Sequence, residues 1–324
     1  MYGCTENSEH IRFGGRYVSV YRKSQCRCRK RIPDLETTGT SAGDGQPGVP
    51  GLFTEHQGDA AEIAKVLTAE RDDAKVIVIV GGEGTYNEVL NGVSFRGLLT
   101  FGYVPAGFRN ALSKGFESFW KVNCQAKRIL HPKYYRMLDY GVATFGDEEI
   151  VSRRFAGRCG IGLDAAICHN LLCCPVRNQM TRLHLTKILR FGLGLKQLFL
   201  AKPTKGYILL DGTQKVEFNH IYFITFMVRR EDKKKRKNSE LMNDDGKMTV
   251  YIGNSARKTK MIPILRDLVM GVRKKERGIR VFECNEAEVH LARPLAVHMD
   301  GESCMCQQNL VVRCIPKRMR MIGS

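Results

Sequence analysis

The run VIVIVGGEGTYNEVLNGV at 76–93 constrains the fold more than any other part of the chain. Its opening, KVIVIV at 75–80, puts apolar side chains on both faces of one strand, as a parallel sheet covered by helices requires. Gly81, Gly82 and Gly84 follow at once, then Thr85 and a stretch with apolar residues at helical spacing. A tight turn needs one or two glycines. Three at the end of a buried strand let the backbone approach a ligand, with first-turn N–H groups able to receive phosphate. The loop is neither a Walker A loop, which needs Gly-Lys-Ser/Thr, nor a G-x-G-x-x-G fingerprint.

The flanking segments repeat this texture. A strand at 16–21, a helix over 58–67 with Asp59 near its start, and a strand at 98–104 predict an α/β domain over 1–132. The last of these strands leads into a second loop, PAGFRNAL at 105–112. Beyond it, short strands at 136–144, 206–210, 220–227, 248–252, 287–291 and 310–315 are separated by turns rich in Gly, Asp and Asn. That pattern predicts a mostly antiparallel β-sandwich over 133–324, interrupted by one helical insertion at 180–201.

Composition narrows the partners. A formal charge of +19 draws in anions: nucleic acid, an anionic leaflet or phosphorylated small molecules. A single Trp and the lack of a recognised nucleic-acid motif argue against nucleic acid. The N-terminus has no apolar run resembling a secretory signal, so the 12 cysteines read as reduced thiols of a cytoplasmic protein. Two Cys-x-Cys pairs, Cys26/Cys28 and Cys304/Cys306, depart from zinc-knuckle spacing and read as scattered thiols. None of the eight histidines has metal or triad spacing. The segment 188–201 is too short to span a bilayer and carries Arg190 and Lys196. The amphipathic helix around 183–200 packs on its own domain or lies on a membrane. The basic run RREDKKKRK at 229–237 fits a solvated loop, a contact with an anionic membrane surface, or a nuclear localisation signal.

Taken in order, these stretches resemble the diacylglycerol kinase catalytic superfamily, which includes sphingosine and ceramide kinases and soluble bacterial lipid kinases. The carriers are Thr54…Gly58-Asp59-Ala60, the Gly-Gly-Glu-Gly-Thr loop with Asn87-Glu88, the Pro-Ala-Gly…Asn-Ala-Leu loop, and Arg136-Met137-Leu138-Asp139-Tyr140-Gly141. Gly160-Ile161-Gly162-Leu163-Asp164-Ala165, Asp244-Asp245-Gly246 and Asp300-Gly301-Glu302 complete the series. The second loop is closer to that of sphingosine kinases. NAD kinases share a Gly-Gly-Asp-Gly-Thr loop, but the second loop and the late Asp-Gly-Glu favour the lipid branch.

The resemblance implies a lipid kinase using ATP and Mg²⁺ at an intracellular membrane, with ATP in a cleft between the two domains and a lipid substrate. The family's last residues often return to the first domain, which leaves 308–324 open to either. By the same resemblance, Thr54, Gly81, Gly82, Gly84, Thr85, Glu88, Gly107 and Asn110 bind nucleotide, and Glu83 and Glu302 are the catalytic carboxylates. Asp164 meets the acceptor or joins a supporting metal network, Asp245 with Asp244 serves a metal or forms a capped turn, and Asp300 serves a metal. Lys187 and Arg190 lie roughly where sphingosine kinases carry arginines.

Three departures stand out. Glu83 replaces an Asp, moving the carboxylate by ~1.5 Å, a shift that matters in a catalytic site. Arg22-Lys23-Ser24-Gln25 replaces the first-strand loop Asn-Pro-x-Ser-Gly, and Phe108-Arg109 stands where small residues are usual. A kinase-like protein that binds lipid or membrane with impaired catalysis is the alternative they leave.

Overall fold

The computed structural model describes residues 12–13, 16–23, 51–69, 74–105, 129, 132–146, 149–176, 179–180, 183, 185–228, 245–270 and 278–322. The chain divides into two compact units, 1–137 with 319–324, and 138–318. It leaves the first unit within β6 (Tyr135–Phe145) and returns within β14 (Glu302–Ile322).

The first unit holds β1 (Arg12–Phe13), β2 (Arg16–Lys23), β3 (Gly51–Thr54), α1 (Asp59–Leu67), β4 (Lys75–Gly81), α2 (Glu83–Gly92) and β5 (Leu99–Pro105). β4 runs parallel to β2 on one side and β5 on the other. Beyond β5, the end of β14 adds a further parallel strand through Arg320 and Met321. Burial of 77–81 on both faces matches the alternation-free run of apolar residues. Tyr86, buried on α2, donates its hydroxyl to Met319 Sδ at 2.9 Å and meets the Tyr103 ring edge-on at 5.3 Å. These contacts hold the returning end of the chain in the first unit.

Ahead of α1 the backbone turns through Gly58 at φ +100°, and the Asp59 carboxylate accepts the amides of Glu55 and His56 at 2.7 Å each. The Gly-Asp pair thus fixes the loop that follows Thr54.

The second unit contains most of β6, then β7 (Val151–Phe155), β8 (Arg158–Gly162), α3 (Leu163–Leu172), α4 (Thr186–Leu200), β9 (Thr204–Leu210), β10 (Gln214–Met227), β11 (Met248–Asn254), α5 (Met261–Met270), β12 (Ile279–Cys284), β13 (Glu286–Met299) and most of β14. Its strands pair antiparallel in the order β14-β13-β8-β10-β11-β12. β9 pairs with β13 and β10, in line with β8. One apolar cluster gathers Phe155, Ile161, Phe226, Val250, Val289 and Val312. A second joins Leu163 and Ile167 of α3, Leu198 of α4 and Leu265 of α5 to Phe223.

The expected strands are present, all but β5 with longer spans, and β1, β3, β7, β8, β12, α3 and α5 are additional. The insertion expected to be helical over 180–201 forms its helix from Thr186. Gly160-Ile161-Gly162 is the end of a strand, and α3 starts at once behind it. Gly162, at φ +77°, leaves no room for a side chain: a Cβ would lie 2.5 Å from the Tyr222 carbonyl oxygen.

Two Asp-Gly pairs close hairpins with both φ values positive, the sense a two-residue type I′ turn needs. They are Asp211 and Gly212 (49° and 67°) and Asp300 and Gly301 (50° and 97°). The Asp211 carboxylate accepts the amides of Asn285 and Glu286.

The thiols separate clearly. Cys304 is buried and Cys306 exposed, because Met305 at φ 59° breaks the alternation of β14. Burial, aided by nearby negative charge, pushes Cys284 and Cys314 up to about 12. Iodoacetamide at pH 8 is therefore expected to label Cys173 and Cys306 in the folded protein and to spare Cys284 and Cys314 until unfolding. Peptide mass mapping checks the order; early labelling of Cys284 or Cys314 would contradict the packing.

Candidate functional site

β4 delivers Gly81 and Gly82 to the start of α2. Gly82, the N-cap residue, is extended (φ −92°, ψ −174°) and brings no side chain to cap the helix. A Cβ on Gly81 would lie 2.8 Å from Thr85 Oγ1, so Thr85 packs directly against that glycine and is buried. The outcome is a backbone turn at a helix N-terminus, with the positive end of the helix dipole behind it. Glu83 opens the helix, half-buried, Gly84 follows it, and Glu88 is half-buried on the next turn. Thr54 ends β3 and is 1% exposed, beside the loop that Asp59 fixes. Gly107 and Asn110 of the second loop, Asp244 and the basic run 229–237 lie outside the described residues.

In the second unit, His298 of β13, Gly160 of β8 and Thr225 of β10 stand side by side in register. α3 begins over this row. Asp164 and Cys168, four apart on that helix, share one face. Thr225 donates its hydroxyl to Asp164 Oδ2 at 3.3 Å, and His298 Nε2 lies 3.5 Å from the same oxygen. Arg158 approaches Asp164 Oδ1 at 3.7 Å and Cys168 Sγ at 3.9 Å. Gly160 makes this possible, since a Cβ there would sit 2.4 Å from His298 Nε2.

Donor atoms of Asp164, Cys168 and His298 lie within 4.8 Å of one another, a composition that zinc accepts. The hydrogen bonds favour another reading. The Gly301 amide donates to His298 Nδ1 at 3.3 Å, so the ring proton sits on Nε2, the atom facing the other two groups. Burial disfavours a charged ring; Cys168 and Asp164 draw a proton to Nε2, and the amide donated to Nδ1 leaves that nitrogen unprotonated, which is the neutral Nε2–H tautomer. With Arg158 adding positive charge, the cluster is a buried charge network.

Asp300 is bound to backbone. Oδ2 accepts the Ala156 amide at 2.7 Å, and Oδ1 accepts those of Gly157 and Arg158 at 2.9 Å each. Any metal at Asp300 would share the carboxylate with three amides. Asp245, exposed, accepts the Lys247 amide at 3.1 Å in a local turn. The buried Asp139 accepts the amides of Gly246 and Lys317 at 2.9 and 2.8 Å. Glu302, half-buried, is the first residue of β14, opposite Met299.

Sequence reading missed Cys168, His298, Arg158 and Thr225. Asp164 and Cys168 carried the available signal, an i, i+4 pair hidden by reading their segment as a turn.

Residues 48–135 match the diacylglycerol kinase catalytic domain. The chain is 26% identical over 258 residues to "Putative lipid kinase YtlR" of Bacillus subtilis (strain 168), across 78% of this chain and 82% of that one. The crystal structure of "a putative diacylglycerol kinase from Bacillus anthracis str. Sterne" is similar with a TM-score of 0.64 at 18% identity, over 95% of this chain and 97% of that one. Yeast NADH kinase, crystallised with NADH, gives 0.51 at 8% identity, over 95% and 83%. At such identities the structures speak for the fold. The segment bearing the Gly-Gly-Glu-Gly-Thr loop is diacylglycerol kinase catalytic-domain sequence, on a chain with the fold of these bacterial and yeast kinases.

Proposed function

We propose that this protein is a lipid kinase that transfers the γ-phosphate of ATP to a hydroxyl of a sphingoid base or ceramide, or of diacylglycerol. The observation that carries this reading is the turn at 81–85: a buried parallel strand ending in Gly81 and Gly82, uncapped by any side chain, at the head of α2. Its first-turn amides suit phosphate oxygens, and Gly81, Gly82, Gly84 and Thr85 form the cradle. Thr54 and Glu88 support it, and the family resemblance adds Gly107 and Asn110 of the second loop as nucleotide-binding residues.

Glu83 sits in the same turn that offers amides to phosphate. A carboxylate there repels phosphate unless a cation stands between them, so the donor set fits Mg²⁺ carried by the nucleotide. When bound, that ion would neutralise charge on the transferring phosphoryl group. Glu83 and Glu302 are the carboxylates proposed to take the acceptor's proton or hold the ion.

α4 supports a peripheral membrane contact. Gly194 and Leu198 pack inward, while Ile188, Phe199 and Leu200 are 64–68% exposed beside exposed Lys187 and Lys196. An apolar strip flanked by lysines suits an anionic membrane surface. No helix among the described residues is long and apolar enough to cross a membrane. We place the protein in the cytoplasm at such a surface, with 229–237 as a route to the nucleus.

The test is transfer of labelled γ-phosphate from Mg-ATP to sphingosine, ceramide, diacylglycerol and monoacylglycerol in mixed micelles. Transfer to one lipid, reduced at least ~10²-fold in both Glu83→Ala and Glu302→Ala, is the expected result. Micelle binding without transfer would instead favour a non-catalytic lipid-binding protein, the reading that Glu83 in place of Asp supports.

A further inference from the structure

We propose that His298 is a positioning residue for Glu302, and that Asp164 acts through His298 instead of touching the acceptor. Asp164 has 2% of its side chain exposed, and both its oxygens are engaged. Oδ2 faces Thr225 and His298, and Oδ1 faces Arg158. An acceptor head group could reach this carboxylate only by displacing those neighbours.

The network points toward the β13–β14 turn. Nε2 of His298 faces Asp164, while Nδ1 accepts the amide of Gly301, the residue just before Glu302. On its other side the turn is tied to the β7–β8 connection. The Asp300 carboxylate holds the amides of residues 156–158, and the Asp300 amide donates to the Arg158 carbonyl at 2.8 Å. His298 is fully buried, and its seat exists because Gly160, its register partner, lacks a Cβ. A fully buried ring, hydrogen-bonded at Nδ1 and facing the Asp164 carboxylate with Nε2, therefore sets the height and tilt of the hairpin that presents Glu302. Displacing a catalytic group by about 1 Å can cost ~10²-fold in rate.

The inference rests on the kinase reading for the role of Glu302, and the experiment separates the two. Steady-state transfer to the preferred lipid in mixed micelles is measured for the wild type, His298→Leu, Asp164→Asn, the double variant and His298→Asn. His298→Leu and Asp164→Asn are each expected to lower kcat roughly 10²-fold with the acceptor KM unchanged. The double variant should lose no more than either single one, because both changes break one path. His298→Asn keeps an acceptor near the Nδ1 position and should recover most of the lost kcat.

If Asp164→Asn raises the acceptor KM and its effect multiplies with that of His298→Leu, Asp164 touches substrate. The inference then falls and the kinase reading stands. If the wild type phosphorylates no lipid, the kinase reading falls, and with it the role His298 would serve. Should Asp164→Asn not fold, the two His298 variants decide alone. An equal loss in both, or a loss confined to acceptor KM, overturns the proposal.

Discussion

Gly92→Ala is expected to destabilise the first unit by about 2 kcal/mol, although alanine is the better helix former. Gly92 is the last residue of α2, and a Cβ there would sit 2.0 Å from the Ala61 carbonyl oxygen and 2.7 Å from its carbonyl carbon and Cα. Those are backbone atoms of α1, so no rotamer change relieves the collision and the two helices must separate. Propensity favours alanine by ~1 kcal/mol; a clash of this kind costs at the upper end of ~1–3 kcal/mol and prevails. A fall of roughly 5–10 °C in the melting temperature should result for a unit of this size. Gly192 supplies the control: on exposed α4, a Cβ there meets nothing within 4 Å. The same change at Gly192 should raise stability by ~0.5–1 kcal/mol. Scanning calorimetry of both variants checks the signs. A rise in melting temperature for Gly92→Ala would mean that α1 and α2 do not pack this closely.

Gly92 also shows what a sequence carries and what it hides. The Asn-Gly pair closing the family-like run is visible at once, but its reason is Ala61 of a neighbouring helix, far earlier in the chain. KVIVIV was readable because a central parallel strand needs no partner to be identified: both faces must be apolar. The turn at Asp211-Gly212 was readable because the turn itself demands those residues, whereas Asp300-Gly301 was visible only as a family motif. α3 was not. Gly160-Ile161-Gly162 reads as a turn, yet Gly160 serves the space beneath Asp164, and Gly162 alone takes the left-handed conformation. Once α3 is lost, the i, i+4 pairing of Asp164 with Cys168 goes too, and His298, 130 residues later, has nothing to join. Long-range register brings these side chains together, and a lone sequence carries no trace of register between strands so far apart. The loop at 81–85 lies at the opposite extreme, its strand, glycines and helix being consecutive.

Asp300→Ala should destabilise the second unit by about 3–4 kcal/mol. The carboxylate accepts three amides at 2.7–2.9 Å, those of Ala156, Gly157 and Arg158. Removing it leaves all three donors without that acceptor in a partly buried turn, at ~1 kcal/mol each where water reaches them in part. Alanine must also adopt φ near 50°, which costs roughly another 1 kcal/mol. Asp300→Asn separates these contributions, because asparagine tolerates the left-handed region and retains one oxygen. This variant is therefore expected to lose about half as much stability as the alanine variant, and Asp300→Gly to relieve the backbone while losing every amide contact. Urea unfolding followed by circular dichroism gives the order Asp, Asn, then Gly and Ala. Transfer activity should follow the same order, since Glu302 lies just past this turn. A full loss of activity in Asp300→Asn with an unchanged urea midpoint would mean that this carboxylate serves a metal instead of the backbone.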